Sequence, residues 1–389
     1  MNIDSILRKV DPTLIKELTK TLVEMDSQNP PGRTKHIAKF LAEEGKSLGL
    51  ETKIVPLDNE RQNVLLSFGT GPRSLVLSGH LDTVPVGDES KWKYPPLSFT
   101  ERNGRYYGRG TVDMKGGVAT LIAVMAALYD ADLPLEYKVL FIGTADEEVG
   151  MKGAFQINKE GYMDNAACLV ITEATNLHVG IAEKGPLWVR VDVKGKAAHG
   201  SMPEKGVNAI YGACKVITGF RDSLPQVENE LLRKTTLNVG VIAGGSKINI
   251  VPERCSFECD FRLIPEIDIS TFKADLYSLV DVLSSNEPFN VSLTFTHVVP
   301  ALSTNKNDVL VQQMLKWATK LTNNQKSFIG LTYATDAAAL LPPKTIPFVI
   351  FGAGDPAVLH QANEFVPKKD LEIAAKTILA ALVESYSPS

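Results

Sequence analysis

Four apolar runs in this chain are each followed, a short distance along the sequence, by acidic side chains or a histidine. Carboxylates and imidazoles are the ligands that zinc and similar divalent ions accept in proteins. The runs and the side chains after them are residues 74–79 with His80, 138–143 with Glu147 and Glu148, 168–172 with Glu173, and 348–354 with His360. Parallel strands of one sheet end at a common edge, where open α/β sheets place their active sites. The sequence therefore predicts a metal site at that edge.

His80 and Asp82 are two residues apart, so on an extended segment their side chains point the same way. A carboxylate beside a ligand histidine can accept the second ring proton and fix the tautomer that binds metal. The alternative is an ordinary polar loop, since such pairs are common.

Asp113 lies just before an apolar helix, in a segment with glycines at positions 108, 110, 116 and 117. An aspartate in this place is a common N-cap, and taken alone it favours that interpretation. The glycines give more backbone freedom than capping requires, which favours a tightly packed site. Two divalent ions about 3.5 to 4 Å apart can share a bridging carboxylate, and Asp113 is our candidate for the bridge.

Glu147 and Glu148 follow Asp146 after a run that reads as a buried strand. Three acids in a row often form a solvated loop. Adjacent residues in a bend diverge, however, so one carboxylate can face a metal and its neighbour the attacking water. The pair is thus expected to supply a metal ligand and a general base.

The elements that would position these residues alternate between strand and helix patterns. Helices are predicted at 14–25, 37–48 and 116–129, and strands at 53–56, 63–68, 74–79, 138–143 and 168–172. This alternation predicts an α/β domain with a mostly parallel sheet and helices on both faces.

From residue 185 the pattern changes to strand, helix, strand, strand, helix, strand, the ferredoxin-like order. The predicted elements are strand 187–193, helix 206–220, strands 236–242 and 254–263, helix 269–283 and strand 289–297. We expect an inserted domain at 185–297, between a first part (1–184) and a second part (298–389) of a catalytic domain.

The 389-residue chain has a formal net charge of -4, which disfavours a nucleic-acid partner. Its longest apolar stretch, residues 118–129, is shorter than the roughly 18 to 20 residues of a membrane span, so no membrane partner is expected. The first 20 residues lack the pattern of a secretion signal. A cytoplasmic protein with a small-molecule substrate is predicted.

Five segments together resemble the M20 metallopeptidases, a family that includes acetylornithine deacetylase, succinyl-diaminopimelate desuccinylase, aminoacylase and glutamate carboxypeptidase. They occur in the family's order and span nearly the whole chain. The segments are SGHLDTVP (78–85), GRGTVDMKGG (108–117), TADEEVG (144–150), AHGS (198–201) and HQANE (360–364).

The resemblance implies two divalent metal ions per subunit, with Asp113 bridging them. Asp82 would orient His80, and Glu147 would be the general base. The implied ligands are His80, Asp113, Glu148, Glu173 and His360. Zinc is the expected ion, with cobalt or manganese as alternatives.

The resemblance also implies that the smaller domain is a lid through which two subunits form a homodimer. His199 would stabilise the oxyanion, in relatives by reaching the partner subunit's site; the alternative is a loop histidine without a role. Asn249 and Arg262 resemble the family's contacts to a substrate carboxylate. The alternative for Arg262 is a strand arginine paired with a nearby acid.

We therefore predict a two-metal amidohydrolase that cleaves the amide bond of an N-acyl amino acid, as deacetylases and desuccinylases do. A dipeptidase or carboxypeptidase acting on short peptides is the alternative within enzymes. The alternative from another class is a non-catalytic, metal-bound dimer that only binds its ligand.

Overall fold

The computed structural model describes residues 3–133 and 136–387 of the chain. Its helices are α1 (Ile3–Leu7), α2 (Pro12–Glu24), α3 (Lys35–Ser47), α4 (Lys115–Asp130), α5 (Glu147–Gly150), α6 (Lys152–Lys159), α7 (Ala209–Asp222), α8 (Ile269–Ser284), α9 (Val309–Thr322), α10 (Ala337–Leu340) and α11 (Lys368–Tyr386). Short 3₁₀ turns lie at Glu89–Lys91, Pro203–Lys205 and Pro356–Val358.

The strands alternate with these helices along the chain. They are β1 (Glu51–Pro56), β2 (Gln62–Phe68), β3 (Arg73–His80), β4 (Thr100–Arg102), β5 (Arg105–Tyr107), β6 (Tyr137–Thr144), β7 (Ala166–Ile171), β8 (Val179–Glu183), β9 (Gly185–Lys194), β10 (Glu228–Asn229), β11 (Arg233–Lys234), β12 (Thr236–Gly244), β13 (Arg254–Leu263), β14 (Asn290–Val298), β15 (Leu302–Ser303), β16 (Phe328–Leu331), β17 (Phe348–Ile350) and β18 (Phe365–Pro367).

The chain divides into two compact units. The larger unit comprises Met1–Ile181, Thr304–Ile329 and Thr335–Ser389. The smaller comprises Ala182–Ser303 and Gly330–Ala334. The larger unit is thus discontinuous in sequence.

The larger unit is built on a mixed sheet in which strands follow the order β1-β2-β6-β3-β7-β17. β6, β3, β7 and β17 are neighbours and run parallel, whereas β1 and β2 are antiparallel. The strands formed by the four apolar runs of the sequence therefore lie side by side. The predicted class, α/β with a mostly parallel sheet, is confirmed.

The apolar run after Asp113 forms helix α4, which lies in the interior of the larger unit. Nearly all its residues are buried, as expected for a helix that is hydrophobic on every side. A Cβ atom added to Gly117 would lie 2.5 Å from the main-chain oxygen of Thr172, so this glycine allows the helix to approach the end of β7 closely. The segment that carries Asp113 is thereby placed near the carboxyl ends of the strands.

The smaller unit contains an antiparallel sheet in the order β12-β13-β9-β14, with α7 and α8 supplying the helices. Apolar residues of β9 and β13 pack with those of both helices in a core of its own. In chain order the unit is strand, helix, strand, strand, helix, strand, and the predicted ferredoxin-like arrangement is present. β12 forms one edge of this sheet.

Some elements differ from the sequence predictions. β17 ends at Ile350, short of the predicted run, and the chain then continues to His360 as a loop that contains the 3₁₀ turn Pro356–Val358. A small sheet in the order β18-β5-β4 was not predicted, because its strands have only three residues each. Within residues 3–133 and 136–387, no helix is both long and apolar enough to cross a membrane.

Candidate metal centre

The carboxyl ends of three parallel strands carry acidic and imidazole side chains. His80 is the last residue of β3, Glu147 and Glu148 begin α5 just after β6, and Glu173 follows β7. Because these strands are neighbours in the sheet, their final residues meet at one edge. The structure thus brings these side chains to the place that the sequence pattern indicated.

Asp113 lies between two histidines that are far apart in sequence. Its Oδ1 is 3.0 Å from His80 Nε2, and its Oδ2 is 3.1 Å from His360 Nε2. The side chain does not cap α4, whose N-cap residue is Met114. Each oxygen of this buried carboxylate therefore faces a different imidazole, as a bridging carboxylate would.

Each histidine also faces a second acid. His80 Nε2 is 3.4 Å from Glu173 Oε1, and His360 Nε2 is 3.4 Å from Glu148 Oε2. The site consequently has two halves that share Asp113. One ligand atom each from His80, Asp113 and Glu148 lies within 4.8 Å of the others, so the halves are contiguous.

The electrostatics of the histidines reflect this excess of negative charge. Burial acts to lower the pKa of His80, but hydrogen bonds with Asp113 and Glu173 outweigh it and raise the pKa well above 6.5. Hydrogen bonds with Asp113 and Glu148 raise the pKa of His360 to about 10. Both imidazoles lie where a positive charge is strongly stabilised.

Burial raises the pKa of the three glutamates, the direction opposite to its effect on a histidine. Desolvation and the charge of Asp113 raise the pKa of Glu148 to about 7, and the same two causes raise the pKa of Glu173. Burial also raises the pKa of Glu147 well above its ordinary value. A group of carboxylates this close together is costly when ionised without a compensating cation.

The donor set fits divalent metal ions. His80 Nδ1 lies 2.9 Å from a main-chain oxygen, which can only accept, so Nδ1 carries a proton and Nε2 faces the acids. Ligands bound at about 2.1 Å around a tetrahedral ion are roughly 3.4 Å apart. The nitrogen-to-oxygen distances of 3.0 to 3.4 Å in both halves match that spacing.

Asp82 contacts His80 through a different atom from the one expected. The acceptor for His80 Nδ1 is the main-chain oxygen of Asp82, while the nearest carboxylate oxygen is 4.0 Å away. The carboxylate instead accepts hydrogen bonds from the main-chain nitrogens of Glu147 (3.2 Å) and Glu148 (3.3 Å). The bend after β6 brings these amides within reach, so the carboxylate of Asp82 holds the two glutamates.

A residue that the sequence analysis did not single out supports this arrangement. Asn29, buried, donates from Nδ2 to Asp82 Oδ2 at 2.8 Å and to Asp146 Oδ1 at 3.2 Å. Arg61 NH1 lies 2.6 Å from the same Asp146 oxygen. The only sequence signal was an Asn before two prolines, which indicates a turn and nothing about its long-range partners.

His199, Asn249 and Arg262 belong to the smaller unit. His199 is exposed, its Nδ1 is 2.7 Å from Ser201 Oγ, and the adjacent Gly200 donates its amide to the main-chain oxygen of Asn249. Arg262 lies on β13 and contacts Asp260 Oδ2 at 3.0 Å through both Nε and NH2. That ion pair matches the alternative interpretation of Arg262, while a role in binding a substrate carboxylate stays a prediction.

Comparisons with known proteins find relatives along nearly the whole chain. A probable succinyl-diaminopimelate desuccinylase of Staphylococcus epidermidis is 27% identical over 96% of each chain. An acetylornithine deacetylase of Pasteurella multocida is 29% identical over 90% of this chain and 91% of that one. The solved structure of a tripeptidase from Staphylococcus aureus, 24% identical, matches with a TM-score of 0.78 over 97% of this chain and 99% of that one.

A family model shows which family the chain belongs to, which no single relative at 27% to 29% identity does. The model of peptidase family M20/M25/M40 matches residues 76–384, which include the ends of β3, β6 and β7 and all the candidate metal ligands. The chain therefore belongs to peptidase family M20/M25/M40 and is a metal-dependent hydrolase of the amidohydrolase and peptidase class.

Proposed function

We propose that the chain is a two-metal hydrolase that removes the acyl group from an N-acyl amino acid. The observation that supports the two-metal part of this proposal is the position of Asp113, whose two oxygens each face a different histidine. A carboxylate shared in this way can bridge two ions.

The residues that would hold the ions form two sets. His80 and Glu173 with Oδ1 of Asp113 would hold one ion, and His360 and Glu148 with Oδ2 of Asp113 the other. Nitrogen and oxygen donors suit zinc, with cobalt or manganese as alternatives. When bound, two such ions polarise the amide carbonyl and make water more acidic.

Glu147 is proposed as the general base. Its neighbour Glu148 faces His360, and adjacent residues at the start of a helix point in different directions, so Glu147 is available for the substrate side. It would take a proton from the attacking water and return it to the leaving amine.

The smaller unit would supply the remaining groups. His199 is proposed to stabilise the oxyanion, and Asn249 and Arg262 to bind the substrate carboxylate. The exposure of His199, and the hydrogen bond from the adjacent Gly200 to the main chain of Asn249, are consistent with groups that meet substrate.

A homodimer through the smaller unit is part of the proposal. β12 is an edge strand, and its side chains Val241 and Ile242 are 55% and 53% exposed. Tyr211, on the neighbouring helix α7, is 74% exposed. An apolar, unpaired strand edge is a site for strand pairing, and a second copy pairing about a twofold axis would cover it.

The names of the two curated relatives favour an acyl amino acid as substrate. The experiment is to prepare metal-free protein, measure ions bound per chain on adding zinc, and assay N-succinyl and N-acetyl amino acids beside di- and tripeptides. We expect two ions per chain and cleavage of an N-acyl amino acid. Preferential cleavage of peptides would establish the peptidase alternative, and metal binding without cleavage of any of these would favour a ligand-binding dimer.

A further inference from the structure

Arg109 and Glu364 form a buried ion pair beside the candidate metal centre. Arg109 NH1 and Glu364 Oε2 are 2.5 Å apart, and the two residues are 2% and 0% exposed. They are 255 residues apart in the chain. Because desolvating two charges costs free energy, a buried pair is weak evidence for stability and calls for another explanation.

The carboxylate of Glu364 holds the segment that carries Asp113. Its Oε1 accepts hydrogen bonds from the main-chain nitrogens of Val112 (2.9 Å) and Asp113 (3.3 Å). The main-chain oxygen of Glu364 also accepts from the nitrogen of Gly108 at 3.2 Å. Both oxygens of this carboxylate are therefore occupied, one by the arginine and the other by the backbone of the bridging residue.

Glu364 is also tied to the segment that carries His360. It lies four residues after that histidine and immediately before β18, which pairs with β5. His360 itself has a φ of +61°, a conformation that a non-glycine residue keeps only when its surroundings hold it. Glu364 thus links the two segments whose side chains meet at Asp113 Oδ2 and His360 Nε2.

Arg109 also contacts a third segment, residues 78–85, which carries His80 and Asp82. Its NH2 donates to the main-chain oxygen of Pro85 at 3.3 Å, and its guanidinium lies 5.2 Å from the centre of the Trp92 ring. Pro85 is the last residue of that segment. The planar guanidinium can contact both partners at once, which a lysine could not do in the same geometry.

We propose that Glu364 is a positioning residue that fixes the separation of Asp113 and His360, and that Arg109 holds Glu364 in place. This inference rests on the proposed two-metal function. The carboxylate of Glu364 bonds to Arg109 and to main-chain nitrogens, so it acts through the backbone of Asp113 and the loop of His360. Loss of the pair should act mainly on the half of the site formed by His360 and Glu148.

The test uses Glu364→Gln and Arg109→Lys in the full chain, with zinc binding measured by calorimetry and kcat and KM measured at saturating zinc. Removing a group that orients a ligand typically lowers metal affinity or activity by about 10- to 100-fold. We expect such a loss for the ion held by His360 and Glu148, a smaller change for the other ion, and a fall in kcat with KM little changed.

A double variant separates positioning from stability. Replacing both members, R109M with E364M, removes the buried charges together, an exchange that is often neutral for stability. If the pair were only structural, this folded double variant would bind zinc as tightly as the wild type, and that result would overturn the proposal. On the proposal, the double variant should bind the ion held by His360 and Glu148 more weakly than the wild type does.

Glu384→Gln is the matched control, because Glu384 also pairs with a cation, Lys316, and accepts from Trp317, outside the metal centre. Its zinc affinity should equal that of the wild type. Unchanged affinity in a folded Glu364→Gln protein would contradict the inference while leaving the two-metal function standing. Wild-type protein that fails to bind a second ion would overturn both.

Discussion

His80 is oriented by the main-chain oxygen of Asp82, 2.9 Å from its Nδ1, and not by the carboxylate of that residue, 4.0 Å away. The carboxylate instead accepts hydrogen bonds from the main-chain amides of Glu147 and Glu148 at the start of α5. A single residue thus connects the imidazole at the end of β3 with the two glutamates after β6, using separate groups for the two tasks.

Asp82→Asn should therefore impair the glutamates more than the histidine. An amide has one oxygen where the carboxylate has two, so its NH2 group would face an amide N–H and move the start of α5. We expect kcat to fall about 10- to 100-fold, with little change in affinity for the ion held by His80. A parallel loss of that affinity in zinc titrations would mean that the carboxylate orients His80 after all. Asn29→Ala should act in the same direction more weakly.

Glu147→Ala should abolish general-base catalysis and leave the protein folded and able to bind metal. The expected loss is about 10² to 10⁴ in kcat, the usual contribution of a positioned acid or base. Measured zinc content should stay at the wild-type value, since Glu148 and not Glu147 faces His360. Glu43→Ala, an exposed glutamate on α3, is the control and should be fully active. Near wild-type turnover without Glu147 would remove it from the mechanism.

Asp113→Ala and His360→Ala should differ in the number of ions that they lose. Asp113 contacts both histidines, so its removal opens both halves of the site, whereas His360 belongs to one half only. We expect zinc analysis to find no tightly bound ion in Asp113→Ala and one per chain in His360→Ala. Equal losses in the two variants would argue against a bridging role.

Val241→Lys should weaken the proposed homodimer. A charge on the exposed edge strand β12 opposes pairing with the same strand of a second copy. We expect sedimentation velocity to show a concentration-dependent shift toward monomer. Val309→Lys places the same charge at an exposed valine of α9 and should leave the assembly unchanged. A dimer unaffected by Val241→Lys would place the interface elsewhere.

The sheet and the ends of its strands could be predicted because buried parallel strands are continuous apolar runs, which are visible in sequence. β3, β6 and β7 match the predicted runs to within about two residues at their ends. The order of the smaller unit could be predicted for a related reason, since each of its elements is long enough to show its own period.

The partners of buried polar groups could not be predicted in the same way. Arg109 and Glu364, or Asn29 and Asp82, meet only after the chain has folded, and no local period records such a pairing. The choice between the main-chain and carboxylate oxygens of Asp82 depends on bond rotations that a two-residue spacing leaves open. Sequence patterns placed the residues at one edge, and tertiary packing decided which atoms touch.

The two histidines of the centre differ sharply in their access to water. The side chain of His360 is 54% exposed and that of His80 is 1% exposed. An ion on the open side can exchange with the medium much faster than one enclosed at the end of β3. We expect stepwise loading, with the enclosed position filled first and the open one responding to the free metal concentration. Supply of the ion would then regulate turnover without any separate effector.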